Sequence, residues 1–421
     1  MPYQSAVTLL APLPPEHRDR AAAALAELAG PGREALAFDL HASLHFARLL
    51  LLDGAEDSAG HGLGPSLLYT ADLDGSADAH LRALADVSGA GLDRAFSYCA
   101  DYPTRPDPAN RTEWLRAHRI PEAAFYVNTV GRGVSQVVAE AQLRRGLESY
   151  LDEHRATVAD LPPSQVHAAL RRHALSDPEL RFGTVPARRP PLWWRVRQTA
   201  HAVAVPAVVL LLSPVLLICL PVVAIALRVH ELRDVPDRRP VDPASVERLR
   251  ADEDRVAHNP FAVVGFLKPG TFRAVLTRVV LFAISYAVRH VLNRGSLAGV
   301  KTIHFARWVY LTPELMTFLS TYDGSLESYM DDFIDKVAWG LNAIFSNGVG
   351  YPPTVLLFWR GASDEELFKK NLRNRQVPNH VWYSAYHDLT ALNVASNAAV
   401  RRGLARRTLS DDEASDWLAL L

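Results

Sequence analysis

From Ala202 to Leu227 the chain reads AVAVPAVVLLLSPVLLICLPVVAIAL without one charged residue, and this stretch limits what the rest can be. A spanning helix takes roughly 20 apolar residues. One continuous helix here is about 39 Å long at 1.5 Å per residue, against a hydrocarbon core of roughly 30 Å. Length therefore permits a crossing. Two features favour a shallow re-entrant hairpin instead. Pro206, Pro214 and Pro221 interrupt the run, and an interior proline removes a backbone hydrogen bond and kinks or breaks a helix. Both flanks are basic, with Arg188, Arg189, Arg195 and Arg197 before and Arg228, Arg233, Arg238 and Arg239 after, so the positive-inside rule gives no sidedness. A core helix of a soluble protein is the third reading, at odds with the length of the run. Trp193 and Trp194 suit a headgroup boundary. The expectation is a membrane segment at 201–228, hairpin or single span, with the lipid bilayer as partner.

Lysine plus arginine (45) nearly cancel aspartate plus glutamate (46), so the global basic field that supports non-specific nucleic-acid binding is missing. Nucleic acid is not an expected partner. Cys99 and Cys219, one of them inside the apolar run, fit a reducing compartment. The N-terminal MPYQSAVTLLAPLPPEHRDR has no basic segment before its apolar residues and no small-residue cleavage site after them, unlike a secretory signal. The soluble halves are expected in the cytoplasm.

The flanks resemble one another. Before the apolar run, the patterns predict strands at 5–11, 44–52, 66–71 and 122–130 and helices after Pro14-Pro15, from Ser76 to Tyr98, at 111–118 and at 135–154. After it, strands at 260–268, 300–311, 315–321 and 381–386 alternate with helices at 271–293, 325–346, 364–375 and 391–406. The order β-α-β-β-α-β is that of a ferredoxin-like unit. Four sequence anchors recur in one order: LHFAR (44–48) and IHFAR (303–307), LDGS (73–76) and YDGS (322–325), GLDRAFSYCADYP (91–103) and GLNAIFSNGVGYP (340–352), RRGL (144–147) and RRGL (401–404). The expected architecture is α+β: two tandem ferredoxin-like units at 1–160 and 260–421, packed sheet to sheet and separated by the membrane segment. A Pro/Arg-rich linker at 161–200 and a charged linker at 229–259 join the parts. The helix from Thr271, with Arg273, Arg278, Arg289 and His290 as its ionisable groups, is either a second membrane contact with snorkelling arginines or the most buried helix of its unit.

The chain has no P-loop, GxGxxG, HExxH, GxSxG or CxxC pair, and no metal site is expected. The repeated pieces carry the candidates. His45 and His304 precede Arg48 and Arg307 by three positions, which on a regular strand sends histidine and arginine to opposite faces. Asp74 and Asp323, ending the next strand, are the expected partners of the arginines. An architectural Arg–Asp bridge with a satisfied core histidine accounts for the same pattern, and Asp-Gly-Ser suits helix capping. The second half is richer in polar groups, with Tyr322, Asn342, Asn347, Tyr386, His387 and Asp388. The candidate catalytic residues are therefore His304, Arg307 and His387, and the candidate ligand-binding residues Tyr322, Asp323, Asn342 and Asn347. Arg307 is expected to be structural first, paired with Asp323 or another carboxylate of its own unit.

Two ferredoxin-like units in one chain resemble the dimeric α+β barrel superfamily, which includes dye-decolorising and chlorite-dismutase-like haem proteins and small cofactor-free monooxygenases. The resemblance covers both soluble halves and rests on element order and duplication. It implies paired sheets with a ligand or haem in or beside the barrel. The chain departs from the GxxDG signature of dye-decolorising peroxidases, since LSTYDG (319–324) lacks the first glycine. Two functions follow as expectations. One is a membrane-attached, oxidoreductase-like enzyme acting on an apolar or amphipathic small molecule; the other is a non-catalytic binding or scaffolding protein at the cytoplasmic membrane face.

Overall fold

The computed structural model describes every residue except 1–2, 57–59, 61, 188–189 and 251–252, so Arg188 and Arg189 of the basic flank lie outside the described residues. The first half runs β1 (Gln4–Pro12), α1 (Arg18–Ala29), β2 (Leu44–Leu52), β3 (Ser66–Asp74), α2 (Ala77–Val87), α3 (Gly89–Phe96), α4 (Pro108–Ala117), β4 (Glu122–Val127) and α5 (Val134–Glu153). Then come α6 (Pro163–Ser176) and the long α7 (Leu192–Glu231). The second half runs β5 (His258–Phe266), α8 (Thr271–His290), β6 (Ile303–Tyr310), β7 (Leu315–Asp323), α9 (Leu326–Phe345), α10 (Glu365–Arg373), β8 (Val381–Ser384), α11 (Ala391–Ala405) and α12 (Asp411–Leu418). The helix expected over 76–98 is divided at Ser88, whose hydroxyl donates to the Leu36 carbonyl.

Two four-stranded antiparallel sheets form, ordered β1-β3-β2-β8 and β4-β6-β7-β5. The fourth strand of each half is thus exchanged: β4 pairs with β6 of the second half, and β8 with β2 of the first. Each exchanged strand first touches its own half. Ile120 N–H donates to Thr8 (3.0 Å) and Leu10 N–H to His118 (3.0 Å) ahead of β4, while Val377 N–H donates to Ala262 (2.9 Å) and Val264 N–H to Arg375 (3.0 Å) ahead of β8. The seams thereby pair the edges of β1 and β5, which would otherwise expose unpaired backbone groups.

Alternation along the strands divides the core. Leu44, Ala47, Leu49 and Leu51 of β2 face the first-half helices with Leu25, Leu84 and Phe96. Leu50 and Leu52 point instead toward Leu315 and Leu319 of the other sheet. The second sheet packs Phe261, Trp308 and Phe318 against the apolar faces of α8 and α9. Residues 161–191, read from sequence as linker, hold α6, because Val166, Leu170 and Ala174 recur at helical spacing and bury against Leu143 of α5, Leu404 of α11 and Trp417 of α12.

Of the hairpin and the single helix left open at 201–228, the chain forms one continuous helix. Helix α7 carries Pro206, Pro214 and Pro221 inside it. Pro214 cannot donate to the Leu210 carbonyl four residues back, and the Ser213 hydroxyl donates to that carbonyl instead, at 2.7 Å. Both α7 and α8 are long and apolar enough to cross a membrane. Both ends of α7 are tied to the same body. At its start Tyr286 donates to the Ala202 carbonyl (2.8 Å) and Arg289 to Gln198 (2.6 Å). At its end the buried Glu231 carboxylate accepts from the Thr354 hydroxyl (2.9 Å) and from the backbone N–H groups of Leu356 (2.8 Å) and Leu357 (2.9 Å). Between these anchors the apolar side chains stand exposed, Leu211 and Ile218 among them.

Candidate functional site between the sheets

The expectation that histidine and arginine face opposite ways fails, and a backbone irregularity is the reason. Leu44 pairs with Leu73 and Phe46 with Asp72, so His45 is the extra residue of a β-bulge; Ile303 and Phe305 pair with Tyr322 and Thr321, leaving His304 in the same position. A bulge re-aims its side chain. Both histidines consequently reach the carboxylates that end the neighbouring strands: His45 Nε2 donates to Asp74 Oδ1 (3.1 Å) and His304 Nε2 to Asp323 Oδ1 (2.7 Å). The second oxygen of each carboxylate accepts the first backbone N–H of a helix, Val134 of α5 (2.8 Å) and Ala391 of α11 (2.7 Å). Gly133 is required at the first of these, since a Cβ there would lie 2.7 Å from Asp74 Oδ2.

The arginines do not meet Asp74 or Asp323. They cross to the opposite sheet, where each caps strand carbonyls in matching fashion. Arg48 donates to the carbonyls of Phe261 (3.1 Å) and Ser320 (3.2 Å) and to the Thr321 hydroxyl (2.8 Å). Arg307 donates to the carbonyls of Val7 (2.8 Å) and Ala71 (3.0 Å) and forms an ion pair with Asp72. The expected partner of Arg307 in its own half is thus replaced by a carboxylate of the other half. Arg48 meets a hydroxyl where Arg307 meets a charge, and burial lowers its pKa to about 9.

Around these groups lies an aromatic cluster. Phe46 stacks on Trp382 (5.5 Å between centroids) and sits edge-on to His258 (5.2 Å) and His304 (5.4 Å). Tyr386, buried and with its pKa raised by that burial, donates to His45 Nδ1 at 2.8 Å. A Tyr386–His45–Asp74 relay therefore joins the two halves, with the tautomer of His45 set by its carboxylate acceptor. His258, at the start of β5, donates from Nε2 to the Leu389 carbonyl (2.7 Å) and accepts at Nδ1 from the Ser384 hydroxyl (3.1 Å); burial lowers its pKa to about 3.

Of the candidate catalytic and ligand-binding residues, His304, Asp323 and Arg307 come to this inter-sheet region, joining His45, Arg48, Asp74 and Tyr386. His387 lies on its rim, exposed, with Nδ1 3.4 Å from the Asp388 carboxylate. The others are elsewhere. Tyr322 stacks on Tyr329 (3.9 Å) in the helix-side core. Asn342 locks the 354–362 loop, donating to the carbonyls of Phe358 and Arg360 and accepting from Ala362 N–H and the Tyr351 hydroxyl. Asn347 accepts from buried Arg273. Sequence reasoning missed His258; the signal was its place at the head of a strand register opposite Asp323, matching Gln4 opposite Asp74.

A second feature lies on the outer face of the second sheet. Helices α8 and α9 splay apart over Phe261, Trp308 and Phe318, with Val337 of α9 in a non-helical conformation (φ −137°, ψ 19°). A cavity of about 330 Å³ opens between them, bordered by Ala283 and Ala287 of α8, Phe333 of α9, and Trp339 and Phe358 near its mouth. Its lining supplies neither a histidine or thiolate for iron nor a cation for propionates, and the Tyr329 hydroxyl is engaged with Ser320 (2.7 Å). These residues do not fit haem.

Comparison with protein-family models, curated proteins and solved structures finds no match to this sequence.

Proposed function

We propose that the chain is a membrane-attached protein that binds an apolar or amphipathic small molecule drawn from the bilayer, in the cavity between α8 and α9. The cavity carries this reading. The side chains around its roughly 330 Å³ are apolar, and Ala283, Ile284, Met330 and Phe333 offer water no hydrogen-bonding group. Water is a poor filler, because apolar cavities stay dry. An apolar chain satisfies the lining, and α8, which forms one wall, has the composition of a membrane helix.

The membrane reading goes with a same-side topology. Strand β4 precedes α7 and β5 follows it, yet both belong to the second sheet. A helix that crossed the bilayer once would put them on opposite sides. Helix α8 is held likewise between β5 and β6 of that sheet. The proposed arrangement is monotopic, with α7 dipping into one leaflet and both halves in the cytoplasm. The two sheets with exchanged fourth strands support tandem ferredoxin-like repeats of the dimeric α+β barrel kind. The Tyr386–His45–Asp74 relay favours a second reading, an enzyme acting on that molecule.

Two experiments test these statements. Ala287→Trp fills the cavity; it should hold or raise the melting temperature while abolishing binding of a fluorescent long-chain fatty acid. Unchanged binding removes the cavity from the account. In sealed vesicles, tags on the two termini should be cleaved from the same side, and exposed Cys219 of α7 should resist an impermeant maleimide until detergent is added. Termini on opposite sides would refute the monotopic arrangement.

A further inference from the structure

We infer that His258, His304 and Asp323 form a binding site for one divalent transition-metal ion. The three residues come from three adjacent strands, β5, β6 and β7, and meet at one end of the second sheet. All are buried, and one ligand atom from each lies within 4.8 Å of the others. Asp323 Oδ1 is 3.6 Å from His258 Nε2, about the spacing of two ligands on a tetrahedral ion with bonds of roughly 2.0–2.2 Å, and 2.7 Å from His304 Nε2, a hydrogen bond that opens by about half an ångström when an ion replaces the proton. Two imidazoles and one carboxylate are a donor set that suits zinc, iron or cobalt and leaves coordination positions open.

The groups behind the ligands are arranged to hold them. Asp323 Oδ2 is fixed by the Ala391 N–H, which leaves Oδ1 facing the rings. His258 Nδ1 meets the Ser384 hydroxyl. Such outer contacts orient metal-binding imidazoles and carboxylates. In the metal-free form both Nε2 atoms carry the proton, donated to Asp323 and to the Leu389 carbonyl. Binding moves each proton to Nδ1 of the same ring, where His258 donates it to Ser384, so no net proton is released. The Leu389 carbonyl, freed from His258, is a further oxygen donor beside the ion. A surface cleft of about 400 Å³ reaches Leu389, whose carbonyl His258 contacts, though none of the three ligands lines it.

The first sheet provides an internal comparison. The residues at the corresponding places are Gln4, His45 and Asp74, and Gln4 is turned away, donating to the Arg132 carbonyl (2.7 Å) and accepting from Gly131 N–H (2.8 Å). That sheet keeps the His–Asp pair without a third donor. His258 is therefore what distinguishes a metal site from a structural pair.

Full-length protein in detergent, stripped with chelator, is titrated with Co²⁺. The expected result is one equivalent bound with visible d–d absorption, displaced by Zn²⁺, and a melting temperature that rises with metal concentration. His258→Gln, which copies Gln4, should keep the metal-free melting temperature and weaken Co²⁺ binding by more than about a hundredfold. His154→Ala, at the exposed end of α5, should leave it unchanged. No stoichiometric uptake by the wild type, or uptake retained by His258→Gln, overturns the site. Should that variant fail to fold, X-ray absorption of the wild-type zinc form decides by counting imidazoles: two support the site, and one or none refutes it.

Discussion

Replacing Asp72 by asparagine tests the charge arrangement between the sheets. Arg48 and Arg307 are each 2% exposed, and Asp72 is the carboxylate that Arg307 touches. Asparagine keeps the shape and one acceptor but removes the charge, leaving two buried guanidinium groups facing strand carbonyls. Breaking a buried pair from one side costs on the order of 3–5 kcal/mol, a large part of a total of roughly 5–15 kcal/mol. With a urea slope near ~3 kcal/mol per M, the unfolding midpoint should fall by about 1 M or more. A second change makes the test specific. Thr321, two residues before Asp323, accepts from Arg48 as Asp72 accepts from Arg307. Thr321→Asp in the Asp72→Asn background should therefore recover stability, with a coupling of about 1–3 kcal/mol in the double-mutant cycle. Equilibrium denaturation of the four proteins, with the exposed Asp86→Asn of α2 as surface control, reads all of this. The reasoning is refuted if Asp72→Asn moves the midpoint no further than the control, or if Thr321→Asp only adds to the loss.

Burial lowers the pKa of His80 to about 3, below the ordinary value near 6.5. Its neutral form is thus the one the fold accommodates: the contribution is complete above about pH 6.5 and declines as pH falls toward 3, by up to roughly 4–5 kcal/mol. His80→Gln should flatten the pH dependence of the urea midpoint over that window. Glu231→Gln should loosen the end of α7 from the 354–357 loop, at about 3 kcal/mol for Arg228 and the donors left behind, and limited proteolysis should then cut that loop faster. Asn342→Ala removes a side chain that serves four partners, and should cost about 2–4 kcal/mol without altering the Co²⁺ titration.

How far the fold was legible follows from which signals are local. The strand at 44–52 and the helices at 135–154 and 391–406 could be placed within a residue or so because periodicity, caps and breakers act over a few neighbours. The continuity of α7 was hidden by its prolines, since the hydroxyl that rescues the Leu210 carbonyl matters only once the helix exists. The helix at 163–176 was hidden by its arginines and flanking prolines, and it shows its apolar face only against α5 and α12.

The amino-acid sequence by itself determined the alternation of strands and helices, the presence of an uncharged apolar stretch at 202–227 and the recurrence of His-Phe-Ala-Arg ahead of Asp-Gly-Ser. Partner choice was left to tertiary structure. A strand four to six residues long pairs equally well with any edge of suitable pleat, so the exchange of β4 and β8 is decided by which edges the packed halves bring together. That exchange brings Arg307 to Asp72 rather than to Asp323. The bulges at His45 and His304 arise from a mismatch of register between neighbouring strands, which no single strand's pattern encodes. They turn the histidines toward the carboxylates and set His304 beside His258, and the candidate metal site exists only because of that turn.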